Sequence, residues 1–135
     1  YVWMASTLGG NPISTTAANA ALGVFRQPGT YENLHKLGAY LRDGMSKVLA
    51  LRQINAQVIG DGPLAQVVFS ADPVFDYRST KKGDSAKGRA LMLALFDRGI
   101  FLNPMSTKLY ISMAHDEAIC DAMLDRFDDA LGQIV

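Results

Sequence analysis

Ala5-Ser6-Thr7-Leu8-Gly9-Gly10-Asn11-Pro12 offers two hydroxyls, turns on a glycine pair and closes on an asparagine and a proline. Adjacent glycines allow a tight turn and close approach of a ligand to the backbone, and Asn11-Pro12 reads as an N-cap followed by proline at the first helical position. A helix is therefore predicted to begin at Pro12. Its leading N–H groups and positive dipole end, with the hydroxyls of Ser6 and Thr7, suit a phosphate or carboxylate. The same spacing also serves as a plain turn before a capped helix, and by spacing alone both readings stand.

Working outward, this helix runs to about Arg26, with Ala17, Ala18, Ala20, Ala21 and Leu22 forming a small-residue surface and Pro28-Gly29 ending it. Thr30 is expected to cap a second helix reaching about Arg52. Leu34, Leu37, Leu41, Met45, Val48 and Leu49 keep its 3.6-residue period, leaving Arg42, Asp43 and Lys47 solvated. Residues 57–60 and 64–70 read as antiparallel strands joined by the turn Asp61-Gly62-Pro63. Ala71 to Gly83 is turn-rich and polar and reads as the most mobile loop. Asp84 caps a third helix to Asp97, with Gly99 in the left-handed position that follows. Ile100-Phe101-Leu102 and Leu109-Tyr110-Ile111-Ser112 read as short strands around Asn103-Pro104. A last helix, begun by Asp116-Glu117, lines up Ile119, Met123, Phe127, Ala130, Leu131 and Ile134. The predicted fold class is α+β, a small antiparallel sheet covered by helices on one face, with an N-terminal connecting helix.

Composition narrows the function. The 135 residues carry thirteen basic and thirteen acidic side chains, so no basic field argues for nucleic acid. No apolar run approaches the roughly 20 residues that cross a bilayer, and no membrane partner is expected. With 49% apolar and 19% charged residues, the chain suits a folded domain of the cytoplasm. Cys120 is the single cysteine and, at helical spacing from Leu124, reads as a small buried side chain. His35 and His115 pair with no Asp or Cys at metal-ligand spacing, so no metal site is expected.

Further segments follow the opening turn in a set order: Pro28-Gly29-Thr30-Tyr31-Glu32-Asn33-Leu34, Asp76-Tyr77-Arg78, Arg98-Gly99-Ile100-Phe101-Leu102 and Ser112-Met113-Ala114-His115. With the opening Ser-Thr-Leu-Gly-Gly-Asn-Pro, they resemble class III, fold-type I aminotransferases. In that family they match the "PGTYERL" helix start, the "DYR" turn, "ERGVYL", and the "SLAH" of glutamate-1-semialdehyde aminomutases and their relatives. The aminomutase-like branch is the nearest likeness, and the resemblance covers nearly the whole chain.

The resemblance implies a C-terminal piece of a longer pyridoxal-phosphate enzyme. Residues 1–10 would end a large-domain segment with a phosphate-contact loop, 11–28 would be the connecting helix, and 29–135 the C-terminal small domain. In such enzymes the Schiff-base lysine and the aspartate that pairs with the pyridine nitrogen precede the Thr-Leu-Gly-Gly-Asn-Pro motif. The abrupt opening Tyr1-Val2-Trp3-Met4, without initiator methionine or leader, fits a piece of that kind. Lys36, Lys47, Lys81, Lys82, Lys87 and Lys108 stand in other motif contexts, so no catalytic residue is expected here and the piece alone is expected to be inactive.

By the same carry-over, Thr7 would bind the cofactor phosphate across the interface of a homodimer; Ser6, where many relatives have glycine, would either add a second hydroxyl or simply be tolerated in the turn. Gly9 and Gly10 would set loop geometry. His115 reads as a capping or packing residue, since proton transfer in this fold type belongs to the lysine. The likeness departs from the family at Asn103-Pro104-Met105-Ser106-Thr107-Lys108. This stretch is one residue shorter than in aminomutase-like relatives and has neither their Glu nor the carboxylate-binding Arg of other class III members. Lys108 would meet the carboxylate of a small amino substrate as a point charge, or stand as an exposed strand-end lysine. The implied activity is that of an aminotransferase or aminomutase acting on an amino acid or amino aldehyde; an amino-acid epimerase shares the apparatus. A stand-alone, non-catalytic interaction or regulatory module is the alternative from another class. The Ala-rich first helix bears on that choice, because its weakly polar surface suits packing on a large domain or a second subunit.

Overall fold

The computed structural model describes residues 6–103 and 107–134. The chain divides into two compact units, Tyr1–Asn33 and Leu34–Val135. In the first, helix α1 spans Pro12–Phe25. Asn11 caps it as the sequence predicts: its Oδ1 accepts from the backbone N–H groups of Ile13 (3.0 Å) and Ser14 (3.2 Å), and Pro12 occupies the first turn. Helix α2 spans Thr30–Leu51. Thr30 is its first helical residue rather than its cap. The Thr30 hydroxyl donates back to the Val24 carbonyl (3.4 Å), so it serves the turn between the helices instead of the first N–H groups of α2.

The second unit holds the rest of α2, then strand β1 (Gln57–Ile59), strand β2 (Leu64–Val68), a short helix α3 (Tyr77–Thr80), helix α4 (Ser85–Asp97), strand β3 (Lys108–Tyr110) and helix α5 (Glu117–Ile134). The strands form one antiparallel sheet in the order β1-β2-β3, with Val58 opposite Val67 and Ala65 opposite Leu109. This is the predicted α+β class. Ile100-Phe101-Leu102, expected as a strand, pairs with none of the described strands. Leu102 instead enters the core and Phe101 stacks on Phe96, with ring centroids 5.3 Å apart.

The core gathers the periodic positions. Leu41, Met45 and Leu49 of α2, Val67 of β2, Leu91, Met92, Ala94 and Leu95 of α4, and Cys120, Met123, Phe127, Ala130 and Leu131 of α5 are all buried. Ile119, assigned to the buried stripe of the last helix, is 45% exposed. Arg42, expected to be solvated, is half-buried: its Nη1 donates to the carbonyls of Gly62 (2.5 Å) and Leu64 (3.0 Å) and ties α2 to the β1–β2 turn. Gly38 makes that approach possible, since a Cβ there would collide with the Gly62 carbonyl. Asp84 caps α4, accepting from Lys87 N–H at 2.9 Å, and Gly99 follows α4 with φ +76°.

Residues 71–83 carry more order than their composition predicts. Asp76 and Ser79 form a capping box on α3, and Gln57 holds the approach by donating to the carbonyls of Ser70 and Asp72 while accepting from Val74 N–H. Buried polar groups are likewise matched: the Thr107 hydroxyl donates to the Val67 carbonyl at 2.5 Å, beside the sheet.

Phe127 is fully buried, so Phe127→Ala should lower unfolding free energy by about 3–5 kcal/mol, through lost transfer energy and the cavity left behind. Leu93→Ala, at a position 46% exposed on α4, should change it by only about 0.5 kcal/mol. Urea titration followed by circular dichroism measures both, and equal losses would contradict this assignment of the core.

Candidate functional site

The loop before α1 keeps its shape through two turns, Gly9 N–H to the Ser6 carbonyl (3.3 Å) and Asn11 N–H to the Leu8 carbonyl (3.1 Å), with Gly10 at φ +77°. That angle explains a glycine at this position, because a side chain would strain it. Ser6, Thr7, Leu8, Gly9 and Gly10 are all exposed. The helix end contributes less than its sequence predicts. Pro12 has no N–H, Ile13 and Ser14 donate to the Asn11 side chain, and Thr15 donates to the Asn11 carbonyl, so the first turn is already satisfied. An anion at this loop would be met by the Ser6 and Thr7 hydroxyls and by the N–H groups of Leu8 and Gly10, which donate to nothing among the described residues. This donor set suits a phosphate.

Lys108 lies elsewhere, in the second unit, at the start of β3. It lines a cavity of about 700 Å³ whose wall includes Leu41, Leu102, Leu109, Ile119, Met123 and Arg126. Tyr110, Asn103, His115 and Cys120 also line it, and no Asp or Glu does. The side chains of Lys108 and Arg126 form no ion pair or hydrogen bond among the described residues. Arg126 had no part in the sequence-based site. Its signal was present in the spacing Ile119–Met123–Arg126, which continues one helical stripe from apolar residues into a cation. Residues 104–106, where the chain departs from the family pattern, lie outside the described residues.

His115 caps locally. Its Nδ1 accepts from the Ser112 backbone N–H (3.0 Å) and lies 2.9 Å from the Ser112 hydroxyl; acceptance at Nδ1 places the proton of the neutral ring on Nε2. His35 is exposed on α2, as expected. Cys120 is 3% exposed. Burial pushes its thiol above the ordinary cysteine range, and the charges of Asp121, Asp116 and Glu117 push the same way. Among the described residues no group of His, Cys, Asp and Glu could hold a metal ion, and no helix is long and apolar enough to cross a membrane.

Over 134 residues, 98% of its length, the chain is 33% identical to the glutamate-1-semialdehyde 2,1-aminomutase of Roseiflexus castenholzii and 32% identical to that of Thermomicrobium roseum. An omega-transaminase from Sphaerobacter thermophilus shares the fold with a TM-score of 0.84 at 28% identity, over 97% of this chain and 30% of that one. The chain is thus similar to one part of these aminomutases and transaminases. It spans 31% of the length of each aminomutase. A glutamate-1-semialdehyde aminomutase from Pseudomonas aeruginosa PAO1 also shares the fold, with a TM-score of 0.84 at 18% identity, over 100% of this chain and 31% of that one. No family model matches the chain.

The Cys120 environment sets a reactivity. With its thiol raised and enclosed, the thiolate fraction at pH 8 falls below that of an ordinary cysteine. Folded protein should therefore react with a thiol-specific disulfide reagent at least about tenfold more slowly than the guanidinium-unfolded chain. Equal rates would mean the side chain is neither enclosed nor shifted.

Proposed function

We propose that this chain is the C-terminal domain of a pyridoxal-phosphate-dependent aminotransferase or aminomutase acting on an amino acid or amino aldehyde in the cytoplasm. The observation that carries the reading is the match of 98% of the chain to about a third of each aminomutase, supported by the shared fold. One structural neighbour is described as a transaminase with pyridoxal phosphate bound; it is 25% identical, with a TM-score of 0.82, over 98% of this chain and 30% of that one. When bound, that coenzyme supplies the electron sink for reactions at an amino-bearing carbon.

This chain's part is to bind and to enclose. Thr7 and Ser6 donate hydroxyls to the coenzyme phosphate, which belongs to the neighbouring subunit of a homodimer, while Gly9 and Gly10 hold the loop in the shape that presents them. Lys108 meets the carboxylate of the amino substrate. Residues 1–10 then end the large domain, 11–28 form the connecting helix and 29–135 the small domain; residues 1–5 of this division lie outside the described residues. The exposure of α1 supports a connector. It buries none of its residues while presenting Ile13 at 81%, Leu22 at 46% and Val24 at 40% exposure, an apolar surface suited to a further domain of the same polypeptide or to a second copy.

Titrated with pyridoxal phosphate, the 135-residue chain should develop no visible band that borohydride fixes on a lysine; such a band would overturn the assignment. A longer polypeptide carrying the upstream lysine-bearing segment should bind the coenzyme. In it Thr7→Val should weaken binding by about 1–3 kcal/mol, the cost of leaving a phosphate oxygen without its donor. Unchanged affinity would remove Thr7 from the phosphate site.

A further inference from the structure

The cavity beside β3 combines two features that a leftover packing gap does not. Its wall is mainly apolar, from Leu41, Leu102, Leu109, Ile119 and Met123, yet Lys108 and Arg126 bring two positive charges to it with no carboxylate among the lining residues. These cations come from different elements, β3 and α5. Elsewhere in this unit Arg52 and Arg98 sit on the acidic residues Asp128 and Asp129 of the same helix α5. Arg126 shares α5 with them and has no such partner among the described residues.

A hydrocarbon wall excludes a bare inorganic anion, which would lose its hydration over most of its surface with too few donors in return. An uncharged hydrocarbon would leave both cations without a counter-charge. A ligand that answers both features has an apolar body and one anionic end. The volume, about 700 Å³, is in the range of small-molecule sites. Tyr110 and His115 add polar side chains to the same wall.

We infer that this cavity is a binding site for a small amphipathic carboxylate, an aryl- or alkylcarboxylate, whose anionic end is held between Lys108 and Arg126 while its hydrocarbon body lies on Leu41, Leu102 and Met123. The inference rests on the proposed function for Lys108 as a carboxylate contact. It adds the second cation and the apolar character of the ligand, and it needs no coenzyme.

The test is an amide-shift titration by nuclear magnetic resonance of the 135-residue chain with 3-phenylpropionate, and with 3-phenylpropan-1-ol as the uncharged probe. The acid should give saturable shifts at Lys108, Tyr110, Met123 and Arg126 and bind about tenfold more tightly than the alcohol, as expected for a charge-assisted contact. Lys108→Gln and Arg126→Gln should each weaken the acid by about tenfold and leave the alcohol unchanged. Both side chains are on exposed residues, so the fold should persist, which the amide spectrum of each variant reports. Absence of saturation, equal affinity for acid and alcohol, or an Arg126→Gln variant that binds the acid as tightly as the parent overturns the inference. Coenzyme binding by the longer polypeptide is read separately, so either proposal can fail while the other stands.

Discussion

The constraint on which the second unit depends is the dry interior formed where α2, α4 and α5 bring their apolar stripes together with β2. Phe127, Met45, Leu91, Leu95 and Leu131 are there exposed by less than 2%, and burial at that level contributes roughly 1.5–3 kcal/mol per large side chain. Helix α5 supplies two of the five and α4 two more. The three-stranded sheet is short, and a sheet of this size is marginal without such a helix layer. The polar ties around the interior then fix how the helices sit. Tyr40 donates to Asp121, Arg52 to Asp128 and Arg98 to Asp129, each joining α5 to another element. These pairs are largely exposed and specify position more than they add stability.

The cavity follows from that arrangement. Leu41 of α2, Leu109 of β3 and Met123 of α5 line it, and its wall is apolar because these side chains belong to the core or pack against it. The two cations line it from positions next to those residues, Arg126 one turn after Met123 and Lys108 beside Leu109. Both belong to exposed residues, and long basic side chains can lie along apolar surface while keeping their charge toward water, which lets an apolar wall carry two cations. The opening loop works by a different principle. There the helix end is closed by Asn11, and what remains for a ligand is a pair of hydroxyls and two loop N–H groups.

Much of this was legible in the chain of residues. The caps at Asn11 and Asp84, the antiparallel pair around Asp61-Gly62-Pro63, the left-handed Gly99 and the buried faces of α2 and α5 all rest on local chemistry acting within one or two turns. The errors share a cause. Thr30 donates backward across the turn instead of capping α2, Arg42 leaves solvent to bind the carbonyls of a turn twenty residues away, and Ile100–Leu102 packs where a strand was expected. Residues 71–83 look loose by composition, yet Gln57 from a preceding strand pins them. The Arg42 and Gln57 contacts depend on partners distant in sequence, and Thr30 and Phe101 on how the chain turns back over five or six residues.

Sequence alone therefore determined the caps at Asn11 and Asp84, the strand pairing across a tight turn, the likeness to aminotransferases and the balanced charge, because these follow from spacing and residue type. Only the tertiary structure decided that Asn11 consumes the donors at the head of α1, that Ile119 faces out, and that Lys108 and Arg126 share one cavity. Those facts depend on which groups meet in space, and no periodicity along the chain encodes the distance between a residue on a strand and one on a helix eighteen positions later.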